Sequence, residues 1–562
     1  MQYSDSLPAH NAESLLVHFR RVERLKEQAT EFKSVYLNPR QLCDLEMLLN
    51  RAFYPLEGYM CRADYESVLA DMALADGTLW PLPICLGVTE EFAATLTPGE
   101  GIAVRDSEGF MLAVLTVSDV WKPDLAAETF AIFGEDGDHS VAGCNCDLED
   151  PWYVGGRVEG IAFPQRYDFT DIRMTPAEVQ RFFVQKGWRK VVAVQASRPL
   201  HKADRAMLEE IALEEGASLL LSPLLSPSMY SSVDHFVLVR SFQQFTDTFP
   251  RNLAKLNLSP WFQRSMGPKG ALLRAIVNKN YGCTHMLVWD SGKMKPRLNA
   301  LSDEYEAHIQ WLSGYAETTG VIPVAEHCMS LDKATGKYVN SADGGLCGND
   351  HEAVVDLLVK GEPIPDWMSF PGVIRELSRK YKPRWKQGFT LFFSGLSGAG
   401  KSTLAKVLYV KLLELNHRPV TLLDGDIVRT NLSSELNFSK EHRNLNVTRI
   451  GFVASEIVKN GGVAVCAPIA PYPESRRQAR HMVEEYGGFI EIHVSTPLSV
   501  CEQRDRKGIY AKARAGIIKG LTGVDDPYFE PENPELRIDT SELTPNEAAH
   551  EVLMFLSDNK YI

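Results

Sequence analysis

The sequence predicts a multidomain α/β protein, and three observations predict it. Its 562 residues exceed what one hydrophobic core usually organises. Apolar strand-like runs alternate with helical segments from Tyr167 to Trp289, and again from Phe389. The strand Phe389–Phe393 then runs straight into a glycine-rich loop followed by a helix-forming stretch, Thr403–Leu415.

Residues 1–165 carry Gly-punctuated, β-branched segments such as Gly101–Arg105 and Met111–Val117, which predict a mostly β domain. From Tyr167 the texture changes. Thr175-Pro176-Ala177-Glu178 reads as an N-cap with proline at the first helical position, and a helix to about Lys186 follows. Lys190–Gln195 is a buried strand, and a second helix spans about Asp204 to Glu215. Strand and helix alternate again through Ala217–Leu221, Phe236–Arg240, Gly270–Lys279 and Thr284–Trp289, as in a parallel sheet. The reading therefore divides the chain at 1–165, 166–320, 321–386 and 387–562, with the polar stretch Ser378–Gly388 as a linker.

Composition narrows the classes. The chain is 44% hydrophobic and 23% charged, as a water-soluble globular protein is. A net charge of −14 argues against nucleic acid or an anionic membrane as main partner, so any anion site must be a local gathering of cations. Met1–Glu13 is polar, unlike a signal peptide, and no apolar run is long enough to span a bilayer. The ten cysteines are scattered, mostly in apolar stretches, and read as reduced core residues of a cytoplasmic protein.

Gly395-Leu396-Ser397-Gly398-Ala399-Gly400-Lys401-Ser402 is a complete Walker A sequence. Glycines let successive backbone N–H groups face a polyphosphate, and the following helix adds positive potential at its N-terminus. Gly395, Ser397, Gly398, Ala399, Gly400, Lys401, Ser402 and Thr403 are the ATP-binding candidates. Lys401 would neutralise the β- and γ-phosphates and Ser402 would help hold Mg²⁺. One βα unit on, Thr421–Asp426 reads as a strand ending in two acids, Asp424 and Asp426, at the edge where such sheets bind ligands. One carboxylate can take the acceptor proton while the other organises Mg²⁺.

The surrounding motifs give this third a resemblance. Asp424-Gly425-Asp426-Ile427-Val428-Arg429, Leu436-Asn437-Phe438-Ser439, Arg443 with Asn446, Ala470-Pro471-Tyr472, Lys507-Gly508-Ile509-Tyr510, Lys512-Ala513-Arg514-Ala515-Gly516, Thr522-Gly523 and Asp526-Pro527-Tyr528 run in the order seen in adenylylsulfate (APS) kinases. The resemblance covers 387–562 and implies a P-loop NTPase fold that uses MgATP to phosphorylate the ribose 3′-hydroxyl of APS, giving PAPS and ADP. It places Arg429, Phe438, Arg443, Asn446, Pro471, Tyr472, Leu521 and Thr522 around APS, with Lys507 and Lys512 as covering basic residues. The phosphate–sulfate anhydride of APS needs fixed guanidinium donors, which suits Arg429 and Arg443. Arg476, Arg477 and Arg480 read equally well as anion ligands or as surface ion pairs. Against the family pattern, Ala470 stands where Ser is usual, Leu521 where a ring stacks on adenine, and Thr448 where one Arg of a pair stands.

Residues 1–386 resemble ATP sulfurylase, on Ala52–Met60, Asp76–Pro81, Tyr167–Phe169, Asn280–His285 and Pro365–Pro371. The resemblance implies a PUA-like domain, a Rossmann-like nucleotidyltransferase domain with a small α/β subdomain, and a homo-oligomer. Its catalytic signatures are eroded. The family's Gln-Thr-Arg-Asn-Pro followed by two His is here Gln195-Ala196-Ser197-Arg198-Pro199 with His201 and then Asp204. Gly-Arg-Asp-His-Ala-Gly is replaced by Trp289-Asp290-Ser291-Gly292-Lys293, and of the third signature Arg264 and Gly267-Pro268 persist, with Lys269 as a weaker cation. Each lost charge-stabilising donor costs about 10²–10³ in rate. Gln195, Arg198, His201 and Arg264 are thus read as a vestigial site whose domain is weakly active or inactive and serves structure or regulation. The alternative is a fully bifunctional enzyme making PAPS from sulfate and two ATP; a kinase for another small alcohol is disfavoured by the APS motifs. His327, Cys328, Cys347 and His351 lack the Cys-x2-Cys half of a zinc site, and Cys144-Asn145-Cys146 near His139 reads as a loop, so zinc is not expected.

Overall fold

The computed structural model describes residues 14–133, 151–225, 233–261, 267–289, 303–327, 329–332, 334–340, 350–437, 439–506 and 508–562. It separates into two units: 1–357 with 363–380, and 358–362 with 381–562.

The first unit holds two main sheets. The N-terminal sheet contains β1 (Lys33–Tyr36), β2 (Gly58–Tyr59), β3 (Leu86–Val88), β4 (Gly101–Arg105), β5 (Met111–Trp121) and β6 (Trp152–Gly160). Its order is β1-β4-β5-β6-β2, with β3 also on β6, and every pairing is antiparallel except β1 with β4. The expected β character holds, though helices such as Pro39–Leu49 and Arg62–Asp71 are interleaved with the strands.

The second sheet is wholly parallel: β7 (Val191–Ala196), β8 (Ser218–Pro223), β9 (Ala254–Leu256), β10 (His285–Val288) and β11 (Ile322–Ala325), ordered β11-β10-β7-β8-β9. The helix before it runs Pro176–Lys186, as the cap predicts. Thr175 accepts from the Glu178 N–H while Glu178 returns a bond to the Thr175 N–H, and Gly187 ends the helix at φ +70°. Phe236–Arg240 and Gly270–Lys279 both lie in helices, Val233–Thr246 and Pro268–Asn280. One apolar core joins the two sheets: Phe53 sits edge-on to Trp80 at 6.0 Å and to Trp261 at 6.3 Å, and Asn280 Nδ2 donates to the Ala52 and Tyr54 carbonyls at 2.9 Å. A small antiparallel hairpin, β12 (Met329–Asp332) and β13 (Lys337–Asn340), completes the unit.

In the second unit β14 (Phe389–Ser394), β15 (Val420–Asp424), β16 (Val463–Ala467), β17 (Gly488–Val494) and β18 (Leu536–Ile538) form a parallel sheet, ordered β15-β16-β14-β17-β18. All six residues of β14 are buried, because helices cover both faces. Strand alternation then sorts them. Phe389, Leu391 and Phe393 join one core with Val463 and Val465, while Phe392 joins the other with Ala464, Cys466 and Phe489. At the N-terminal edge of the sheet, the Arg418 guanidinium donates to the carbonyls of both Gln387 and Tyr561 and lies over the Phe389 ring at 4.9 Å. Cys43, Cys85, Cys283, Cys466 and Cys501 are buried free thiols. Among the described residues, no helix is long and apolar enough to cross a membrane.

Candidate active site

The phosphate loop joins β14 to the helix Lys401–Leu415. Gly400 caps that helix at φ +104°, a conformation that favours glycine, and a Cβ there would crowd Thr540 Oγ1 at 3.1 Å. The loop's carbonyls are tied away from its hollow. The buried Tyr510 hydroxyl donates to the Ser397 carbonyl at 2.7 Å, and Thr496 and Thr540 hydroxyls donate to the Ala399 carbonyl at 3.1 and 2.9 Å. Arg504 secures Thr540 in turn at 2.8 Å. Peptide groups with their oxygens held outward leave their N–H groups for an anion. Lys401 is buried and donates to the Gly395 and Leu396 carbonyls at 2.8 and 2.7 Å. Ser402 Oγ donates to Asp424 Oδ1 at 3.0 Å, a hydroxyl and a carboxylate converging as the hard-oxygen pair Mg²⁺ takes.

The two acids part company here. The strand ends at Asp424, and Asp426 sits in the first turn of the helix Gly425–Asn431 instead of extending the strand. Arg429 is half-buried on the last turn of that helix. Asn446 is buried one turn after Arg443 on the helix Lys440–Lys459, and its Oδ1 has no hydrogen-bond partner among the described residues. Arg443 donates to the Thr522 hydroxyl, the Asp526 carboxylate and the Gly520 carbonyl. The buried Tyr472 hydroxyl donates to the same carboxylate, 3.1 Å from Oδ2. Pro471 is buried beside it, Leu521 packs on the apolar core, and Lys512 is exposed on the helix Ile509–Arg514. Phe438, Lys507 and the side chain of Asp426 lie outside the described residues. Sequence reasoning gave no role to Tyr510, Thr540 or Asp526. Only their place inside family motifs, or next to the phosphate loop in space, could have marked them.

Arg476 and Arg480 prove to be structural ion-pair groups and Arg477 is exposed. Arg476 Nε lies 3.0 Å from Glu491 Oε1, and Arg480 is bidentate to Glu535 at 2.7 and 2.8 Å.

The corresponding corner of the first unit is differently built. Gln195, next to last in β7, is buried, with its carbonyl taken by Trp289 Nε1 at 2.5 Å and its Oε1 by Asn278 at 3.3 Å. Arg198, the displaced guanidinium, is bidentate to Asp204 at 2.9 and 2.7 Å and covers the Trp289 ring at 5.2 Å. Asp204 also accepts from the His201 N–H at 2.7 Å, capping the helix Lys202–Glu215. Burial works to raise the Asp204 carboxyl, yet the Arg198 guanidinium holds it below the usual range. His201 is fully buried between Ser369 Oγ at 2.7 Å and His351 Nδ1 at 3.3 Å, and burial pushes it down to about 3 and His351 to about 4. Both rings are therefore neutral near pH 7. Lys269, read as a residual cation, donates to the Ala131 carbonyl at 2.8 Å, and burial lowers its pKa. His351 thus faces His201, whereas His327 lies 3.7 Å from Glu210 and 3.8 Å from Glu214; Arg264, His139, Cys144, Cys146, Cys328, Cys347 and 290–293 lie outside the described residues.

Three family models match the chain: PUA-like domain over 9–163, ATP-sulfurylase over 170–380 and adenylylsulphate kinase over 387–539. Sulfate adenylyltransferases of Phaeosphaeria nodorum and Mycosarcoma maydis are each 39% identical, with 95% and 96% of both chains covered. The chain belongs to the family of fused ATP sulfurylase–APS kinase proteins. A solved structure described as the hexameric APS kinase from Thiobacillus denitrificans is 39% identical, covers 98% of each chain and superposes at a TM-score of 0.78. The protein is an enzyme, an adenylylsulfate kinase, built as a PUA-like domain, an ATP-sulfurylase-like domain and a C-terminal P-loop domain.

Proposed function

We propose that this enzyme transfers the γ-phosphoryl group of MgATP to the 3′-hydroxyl of APS, and that its sulfurylase-like domain forms little or no APS from sulfate. The kinase reading is supported by the place of Lys401, buried at the start of the helix that follows the phosphate loop, with its ammonium donating to the Gly395 and Leu396 carbonyls of that loop. ATP phosphates offer the ammonium stronger, charge-assisted partners than those carbonyls. Ser402 and Asp424 would hold Mg²⁺, which supplies charge neutralisation at the phosphates when bound. That occupation of Asp424 leaves Asp426 to take the proton of the APS hydroxyl. Arg429 and Arg443 with Asn446 clamp the phosphosulfate, Pro471, Tyr472, Leu521, Thr522 and Phe438 enclose the nucleoside, and Lys507 and Lys512 cover it. The domain limits are taken as 1–165, 166–320, 321–386 and 387–562. A homo-oligomer is proposed, in keeping with the hexameric T. denitrificans neighbour, and a cytoplasmic setting with free thiols.

The observation that carries the second half is the Arg198–Asp204 pair. Sulfurylase chemistry places polyphosphate and sulfate together, so it needs uncommitted cations. Here Arg198, the guanidinium displaced by one position from the lost arginine, is paired with Asp204, and His201 and His351 are held uncharged. The names of the sequence relatives favour a second reading, full bifunctionality. The purified chain given ATP, sulfate and pyrophosphatase is expected to yield no more than traces of APS or PAPS, and given APS to yield PAPS at an ordinary enzymatic rate. Sulfate-dependent product at that rate establishes the second reading; failure with supplied APS removes the kinase assignment.

A further inference from the structure

Ala470 is buried at φ +46°, a left-handed conformation that few residues besides glycine adopt, and Pro471 follows it. A residue before proline is pressed toward extended backbone, so Ala470 is out of place twice over. Such a conformation persists only where neighbours over-determine it, and it collects where a ligand is held. Three bonds do so here. The Ile469 carbonyl accepts from the Gly395 N–H at 3.3 Å, the Pro471 carbonyl from the Phe529 N–H at 3.0 Å, and the Ala470 carbonyl from Arg476 Nη1 at 2.7 Å. Two of these donors are backbone. The third is a side chain from the first turn of the helix Pro473–Glu484, only 4% exposed.

That guanidinium has little freedom to turn. Its Nε lies 3.0 Å from Glu491 on β17, itself buried. The Glu491 N–H donates to Glu535 at 2.6 Å, and Arg480 grips Glu535 with both Nη atoms while standing 3.6 Å from Glu491. Burial lowers the pKa of Arg476 and raises that of Glu491, so both charges pay for being inside. An apolar pair would fill that space without the desolvation cost, but could not aim a donor at a carbonyl. The loop so held ends in Tyr472, whose hydroxyl shares Asp526 with Arg443.

We propose that Arg476, steered by Glu491, is a positioning residue for the acceptor substrate: it locks Ala470 in its left-handed turn so that Pro471 and Tyr472 stand where APS docks. The inference rests on the APS kinase reading above. Neither partner of Arg476 named above, the Ala470 carbonyl or Glu491, belongs to the phosphate loop, so its loss should fall mainly on one substrate.

Steady-state kinetics of the full chain, varying APS and ATP separately, test it. Arg476→Lys keeps a charge but loses the fork that spans both partners, and should raise the KM for APS about tenfold with the KM for ATP within about twofold. Glu491→Gln should shift the same constant in the same direction by a smaller factor. Adding Ala470→Gly to Arg476→Lys should recover most of the APS KM, because glycine holds φ +46° without a brace. Equal rises in both KM values, or no recovery from glycine, overturn the proposal. If Arg476→Lys does not fold, Glu491→Gln decides alone, and an unchanged APS KM there overturns it. A wild-type chain that makes no PAPS from APS removes the function instead, a different failure.

Discussion

The phosphate loop of the second unit and the Gln195–Asp204 turn of the first are both strand-to-helix corners of a parallel sheet, and they differ in what their cations touch. Lys401 rests on two backbone carbonyls; Arg198 rests on a carboxylate. The carbonyls are neutral acceptors, weaker for an ammonium than a phosphate is. The carboxylate carries a full charge, is itself buried, and also caps the helix that follows, so releasing it costs both an ion pair and a cap.

Lys401→Ala should cut PAPS formation by at least about 10²–10³-fold, the usual cost of a preorganised charge donor. Thermal unfolding should hardly move, since the bonds lost are local; a small rate effect would mean that Lys401 is not the phosphate cation. In the other corner, Asp204→Ala should lower the unfolding free energy of the first unit by about 2 kcal/mol, the value for a buried pair discounted for the partly exposed Arg198. PAPS formation from supplied APS should be unaffected, and so should it be in His201→Ala. Loss of kinase turnover in either variant would break the separation of the two sites.

Acid should sharpen the contrast further. His201, held near 3, and His351, held near 4, are neutral when folded but take up protons near 6.5 once unfolded. The unfolded chain thus binds more protons between those values, and stability falls as pH drops from about 6.5 toward 4, at up to about 1.4 kcal/mol per pH unit for each ring. Denaturant titrations of wild type and His201→Gln across that window should show the shallower slope in the variant; parallel slopes would mean His201 is not held neutral. The smallest effect expected is that of Tyr510→Phe, which removes the bond to the Ser397 carbonyl. At about 1 kcal/mol it should lower kcat/KM for ATP about fivefold while leaving the KM for APS alone.

Much of the fold was legible because its signals are local. Thr175, Pro176 and Glu178 spell a helix start within four residues, and the Walker A glycines spell a loop within eight. Site residues that depend on distant partners were not. Arg476 could be read as ligand or surface pair because nothing near it in sequence shows that Glu491 and Ala470 enclose it. Asp204 could be read as a charge placed against polyphosphate, but its bond to Arg198 follows only once the turn brings the two together. Asp-Gly-Asp continues an apolar run and so reads as strand through Asp426, whereas the helix begins directly after Asp424. Tyr510 and Thr540 reach the phosphate loop across more than a hundred residues, a distance no pattern spans.

Arg418 holds Gln387, where the kinase-family segment begins, and Tyr561, one residue from the end of the chain, in a single grip. It precedes β15, so the grip lies at the end of the parallel sheet remote from the phosphate loop. Anything joined to this unit through either terminus is attached at that far end. The second unit is in this sense a portable module: its attachment points and its phosphate loop are at opposite ends of the same strands.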